Sequence, residues 1–141
     1  MNQETIFGPF LLTMLLTMVV WVYMYSRRIP FLKGSRVDPN TLTPLELARI
    51  SPPGVANPSD NLKNLFETPT LFYALCLYLF VTQQVDVTYL VAAWIFAAFR
   101  VLHSLMHSTV NIVLVRFWLY FGSSAALWFM LVRAALRLSL V

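Results

Sequence analysis

Charge is scarce in this sequence. Asp, Glu, Lys and Arg make up 11% of its 141 residues, where a soluble domain carries ~25%, so the chain cannot clothe itself in a water-facing shell. With 6 acidic residues, 10 basic ones and only a modestly basic loop, there is no case for a nucleic-acid partner. Cysteine occurs once, as Cys76 in an apolar run. A disulfide framework or a cysteine-based metal site is therefore excluded within one chain, and a buried, inert thiol is expected. The two histidines, His103 and His107, stand outside any HExxH pattern and share their helix face with no carboxylate, so no metal is expected. Internal repeats, low-complexity tracts and paired broken helices are missing as well, which argues against a secondary transporter.

Apolar residues are abundant: 59% of the chain is hydrophobic and 15% aromatic. Four segments approach the ~20 residues needed to cross a ~30 Å hydrocarbon core, and helices are expected at about 6–26, 61–82, 87–107 and 112–137. Short links after the second and third helices force antiparallel neighbours. The expected fold is an all-α membrane protein, a four-transmembrane-helix up-down bundle forming one domain over 1–141. The first segment reads as a retained helix: Glu4 precedes it, no Lys or Arg does, and no small-residue cleavage site follows. Trp21, Trp94, Trp118, Trp128 and the many Phe residues are expected mostly as lipid-facing packing and interfacial anchors.

The loop at about 29–60 contains Pro30, Pro39, Pro44, Pro52, Pro53 and Pro58 and cannot be one helix. Within it, Thr43-Pro44-Leu45-Glu46 predicts a short helix with Thr43 as N-cap, Pro44 in the first turn and Glu46 completing a capping box. Pro52 and Pro53 require it to end by Ser51. Arg27, Arg28, Lys33, Arg36, Arg49 and Lys63 cluster on the loop side, against Glu4 and Asp86 on the other. The positive-inside rule then puts both termini outside and the long first loop in the cytoplasm, with Arg133 and Arg137 as a mild counter-signal. The small residues from Gly122 to Ala126 favour close helix packing or subunit contact.

The informative residues are polar ones inside apolar runs: Asn64, Glu67, Arg100, His103, His107 and Arg116. A charge in hydrocarbon costs at least ~2.5–3.5 kcal/mol on insertion scales, so such residues face a bundle interior or an aqueous cavity. Asp60, Asn64 and Glu67 share one helical face, with Lys63 beside them; Arg100, His103 and His107 share a second; Arg116, Tyr120 and Ser123 a third. Antiparallel threading brings the three stripes to one depth. Two readings follow. Glu67 pairs with Arg100 and neutralises two costly charges, or the stripes line a polar pocket for an anionic ligand.

Asn64-Leu65-Phe66-Glu67-Thr68-Pro69, Phe99-Arg100-Val101-Leu102-His103, and Arg116 with Tyr120 resemble the MAPEG superfamily, membrane-associated proteins in eicosanoid and glutathione metabolism. The resemblance covers nearly the whole chain. It implies a homotrimer of four-helix protomers with glutathione sites between protomers in the cytosolic half of the membrane. It further implies that Arg28, Lys63, Asn64, Glu67, Arg100, His103, His107 and Tyr120 bind glutathione, Glu67 at its amino end, and that Arg116 stands near the thiol as the catalytic residue. Lys63 replaces an arginine of several relatives, His107 a tyrosine of the eicosanoid enzymes, and Phe117 a serine of the prostaglandin synthase, so prostaglandin synthesis is not the expected activity.

The expected function is that of a membrane glutathione-dependent transferase or peroxidase acting on lipophilic electrophiles or hydroperoxides, in contact with membrane lipid. The alternative is a noncatalytic MAPEG-like scaffold or lipid-binding subunit of a membrane complex.

Overall fold

The computed structural model describes residues 2–35 and 38–138, with the side chain of Pro39 not among them. Arg36, counted above among the loop cations, lies outside the described residues. All regular structure among them is helical.

A 3-10 turn, Gln3–Ile6, leads into α1, Phe7–Gly34. α1 therefore runs through Pro30, past the expected end near residue 26. The ring removes one backbone donor, yet the helix continues for another turn and closes with the Ser35 N–H donating to the Phe31 carbonyl at 3.0 Å. After a 3-10 turn at Pro39–Thr41 comes α2, Pro44–Ile50. Its predicted capping box is present: the Thr43 N–H donates to Glu46 Oε2 at 2.8 Å, and the Glu46 N–H to Thr43 Oγ1 at 3.3 Å. The helix stops at Ser51, as the following prolines require.

The second span differs most from expectation. It begins at Pro53, not near 61, and divides into α3, Pro53–Leu65, and α4, Thr68–Val81. Pro52 and Pro53 start the helix, since the first helical positions need no backbone donor. Pro58, inside α3, deprives the Gly54 carbonyl of its intrahelical donor; Arg27 Nε from α1 donates to that oxygen at 3.5 Å. The break falls at Phe66 and Glu67, with Glu67 at φ −91°, ψ −104°. Pro69 contributes to it: it has no N–H for the Leu65 carbonyl, so the hydrogen-bond ladder of α3 is interrupted there, and it suits the first turn of a new helix, which needs no backbone donor at that position.

α5, Val87–Ser108, is capped by Asp86, whose Oδ1 accepts from the Tyr89 N–H at 3.0 Å. α6, Val113–Leu138, returns after a tight turn in which Asn111 adopts φ 53°, a left-handed conformation that Asn tolerates. α5 and α6 make the most extensive helix pair. Phe72 of α4 stacks on Phe96 of α5 with centroids 4.2 Å apart, at the centre of a core that includes Ile6, Leu79, Tyr89 and Met130. Gln3–Gly34, Pro53–Val81, Val87–Ser108 and Val113–Leu138 are each long and apolar enough to cross a membrane.

Candidate functional site

The polar residues gather at the end of the bundle that carries the 35–52 connection. α3 and α5 are tied there by Asn61, which is fully buried. Its Nδ2 donates to Ser108 Oγ at 3.0 Å and to the Ser104 carbonyl at 3.4 Å, and Ser104 Oγ donates to Asn61 Oδ1 at 3.2 Å. The amide thus fixes how far α3 stands from α5.

Beside this clamp, Asn64, His103, Val113, Arg116, Phe117 and Tyr120 line a recess of about 230 Å³. Arg116 Nη1 donates to Asn111 Oδ1 at 2.7 Å, and Asn111 Nδ2 donates to Asn57 Oδ1 at 3.0 Å. The guanidinium is held by neutral amides; among the described residues no carboxylate forms an ion pair with it. His103 Nδ1 lies 3.1 Å from the Arg116 carbonyl oxygen, and its ring sits 5.8 Å from that of Tyr120.

Arg100 lies behind the recess wall with no exposed surface. Its Nη2 donates to Thr68 Oγ1, and its guanidinium stands 4.6 Å from the centre of the Tyr120 ring and 5.6 Å from that of Phe96. Nε and Nη1 have no partner. The pairing of Arg100 with Glu67 is not formed: the helix break swings Glu67 off the Asn64 stripe, leaving it exposed, while Thr68 takes its place beside Arg100. His107 is buried next to His103, ring centres 5.5 Å apart, and does not line the recess.

Arg28 and Lys63 occupy a different recess, of about 380 Å³, beneath α2 and bordered by Ser59 and Asp60. Arg28 Nη2 donates to Ser59 Oγ at 2.6 Å, and Lys63 Nζ pairs with Asp60 at 2.8 Å. Lys63 and Asn64 are neighbours in sequence, yet one helical step of ~100° turns them to different faces of α3, each bordering its own recess. The structure therefore brings together Asn64, His103, Arg116 and Tyr120, keeps Arg100 and His107 behind them, and separates Arg28, Lys63 and Glu67. No group of three His, Cys, Asp or Glu side chains among the described residues could hold a metal ion.

The model of the MAPEG family matches residues 6–136. The chain belongs to the MAPEG family. No curated protein and no solved structure matches it. As a MAPEG protein with four apolar helices of spanning length, it is an integral, multi-pass membrane protein of the group associated with glutathione and eicosanoid metabolism.

In this MAPEG chain the opposite end of the bundle is also polar. Arg133 grips Asp86 with two hydrogen bonds, 2.8 and 2.7 Å, and Arg137 adds a third at 2.8 Å. Both guanidinium groups lie over the Tyr89 ring, at 4.2 and 5.5 Å. The Arg133 hydrogen bonds hold the Asp86 carboxyl well below the usual carboxylate range. The two arginines that weighed against the charge asymmetry are thus partly neutralised in place. Sequence reasoning missed Asn61 as a clamp; its signal was the one-turn spacing from Asn57 and Asn64, with Ser104 and Ser108 facing it at i, i+4.

Proposed function

We propose that the protein is a glutathione-dependent transferase or peroxidase for lipophilic electrophiles or hydroperoxides, assembled as a homotrimer with the first loop on the cytoplasmic side. The observation that supports this reading is Arg116: a guanidinium in a small recess near the start of α6, held by Asn111 and free of any counter-carboxylate among the described residues. Glutathione carries two carboxylates, one ammonium and a thiol. Arg116 and the other cations suit its anionic groups, Asn64 a polar backbone group, and Glu67, exposed at the helix break, the ammonium.

The chemistry follows from charge. A free thiol has pKa ~8.5, so little thiolate is present near neutrality. A fixed cation in a water-poor recess favours the thiolate, the nucleophile. Arg stays protonated, so Arg116 acts by electrostatics and moves no proton. In transfer, sulfur bonds to the electrophilic carbon as the leaving group departs with its electron pair. In peroxidation, sulfur attacks the terminal peroxide oxygen, the O–O bond breaks and the alkoxide leaves to be protonated as an alcohol. The sulfenic acid so formed reacts with a second glutathione, giving the disulfide and water. Arg28 and Lys63, in the recess beneath α2, reach a shared ligand through a neighbouring protomer in this reading.

The test is ultraviolet thiolate absorbance as glutathione is titrated into detergent-purified protein, with Arg116→Ala as control. A saturable signal lost in the variant is expected. Its absence in the native protein, with oligomers intact, overturns the reading. The scaffold alternative draws on Lys63, whose charge is already paired with Asp60 at 2.8 Å, and on Phe117, an apolar side chain on the recess wall; it predicts no thiolate signal and a co-purifying membrane partner.

A further inference from the structure

The far end of the α5–α6 pair carries more positive charge than its own acid neutralises. Asp86 accepts two hydrogen bonds from Arg133 and one from Arg137, so both its oxygens are engaged and one guanidinium charge is left over. Gln3 is bound to Val85 at 3.2 and 2.8 Å, which brings Glu4 to the same end. Glu4, however, accepts from Asn2 and forms no ion pair with either arginine. The Arg137 side chain is 41% exposed, and a guanidinium has five N–H donors.

An apolar groove of about 560 Å³ leads to this cluster, walled by Val87, Val91 and Ile95 of α5 and by Gly122, Ala125 and Phe129 of α6. On α6, Gly122, Ala126, Phe129, Arg133 and Arg137 follow at i, i+4, i+7, i+11 and i+15, one continuous stripe. On α5 the first groove residue, Val87, directly follows Asp86. At the other end the ring of Phe99, one turn beyond Ile95, lies on Gly122. From Val87 to Ile95 the groove runs for roughly 12 Å along the helix. It is apolar along its length and cationic at its mouth, the form of a hydrocarbon chain joined to an anion.

We infer that this groove holds an acyl chain of an anionic phospholipid whose phosphate sits on Arg137 and Arg133. The phosphate supplies the missing negative charge and accepts charge-assisted hydrogen bonds from the exposed guanidinium. A zwitterionic lipid also brings an ammonium, for which the cluster has no free carboxylate oxygen. A helix from a second copy of the chain fits the charge less well. Of the six acidic residues, Asp38, Glu46, Asp60 and Glu67 belong to the loop side and Asp86 is already engaged, so a copy brings only the Glu4 side chain. The site stands apart from the recess at Arg116 and does not depend on the glutathione reading.

The test is native mass spectrometry of the full-length protein in detergent, offered equal amounts of phosphatidylglycerol and phosphatidylcholine with identical chains. Wild type is expected to retain phosphatidylglycerol about fivefold more, the share of one arginine facing an anionic lipid. Arg137→Gln removes the exposed cation and keeps the bidentate Arg133–Asp86 pair. Ala125→Phe fills the groove from an exposed position and leaves both arginines in place. Each variant is expected to bring the two lipids to parity. Parity in wild type overturns the proposal. A preference that survives either variant does so too, assigning it to the cations of the loop side or to a chain lying outside the groove. Oleate retained in place of phosphatidylglycerol, and lost in Arg137→Gln, replaces the phospholipid with a free fatty acid. Oligomers that come apart in Ala125→Phe, with no lipid retained by wild type, give the groove to a second copy. Should a variant fail to fold, phosphatidylglycerol with a photoreactive acyl chain decides on wild type: labelling of 87–95 and 122–129 is expected, and labelling confined to other segments overturns the proposal.

Discussion

Phe99 lies so close over Gly122 that a Cβ at that glycine would stand 2.6 Å from Cε1 and 2.7 Å from Cδ1 of the ring. The missing side chain lets the ring of α5 sink onto the backbone of α6. Gly122→Ala is therefore expected to destabilise the bundle by ~1–3 kcal/mol through overpacking, read as a lower melting temperature in detergent. Gly34→Ala, where an added Cβ meets nothing within 4 Å, is the matched control and is expected within ~0.5 kcal/mol of native. Equal melting temperatures for the two variants would show that the ring moves aside without cost.

Acid is expected to weaken the far end of the bundle. The Asp86 carboxyl is held low by Arg133. Its contribution is therefore fully present above the unfolded value of ~3.9 and is lost as pH falls through the lower folded value. The carboxylate side chain is 34% exposed, so each pair contributes no more than ~1 kcal/mol. Asp86→Asn should melt earlier than wild type at neutral pH, and the gap should close as pH falls below ~4. A gap that persists unchanged in acid would assign the loss to the helix cap instead.

Glu67 is exposed at the break and has no ion pair with Arg100. Glu67→Gln should therefore leave the melting temperature of the unliganded protein where it is. If the carboxylate receives the ammonium of glutathione, the same variant weakens glutathione binding. A fall in unliganded stability would instead restore the pairing of Glu67 with Arg100.

Asn61 joins two serines of α5 from a fully buried position. Asn61→Ala leaves Ser104 and Ser108 without a partner and is expected to cost ~1–3 kcal/mol. Ser108→Ala alone should cost less, and the double variant should fall short of the sum, because both remove the same bond. Strict additivity in a double-mutant cycle of melting curves would place the effect of Asn61 elsewhere.

Apolar run length was enough to locate four spans, and the capping box at Thr43 and Glu46 was legible because it depends on four consecutive residues. Pro30 and Pro53 misled. In sequence each reads as a loop residue, yet Pro53 opens a helix and Pro30 is carried within one whose neighbouring turns hold. The reverse holds for Pro69: it lies inside the helix expected at about 61–82, and helical spacing carried through it keeps Glu67 on the Asn64 stripe, where the structure breaks the helix. At the site, helical spacing puts Arg116 and Tyr120 on one face and His103 on another, antiparallel threading brings the two to one depth, and the three side chains border one recess. It could not tell Lys63 from Asn64, because a ~100° step decides which recess a side chain enters only once the packing of α3 against α1 and α5 is known.

The α5–α6 hairpin is closed at both ends, by the Thr109–Ile112 turn beside the recess and by Arg133 on Asp86 at the other. Pulled from its C-terminus in a force spectrometer, α6 would load that ionic latch before the interior contacts and then draw α5 out behind it. The two helices should leave the membrane in one force peak, and Asp86→Asn should split it into two.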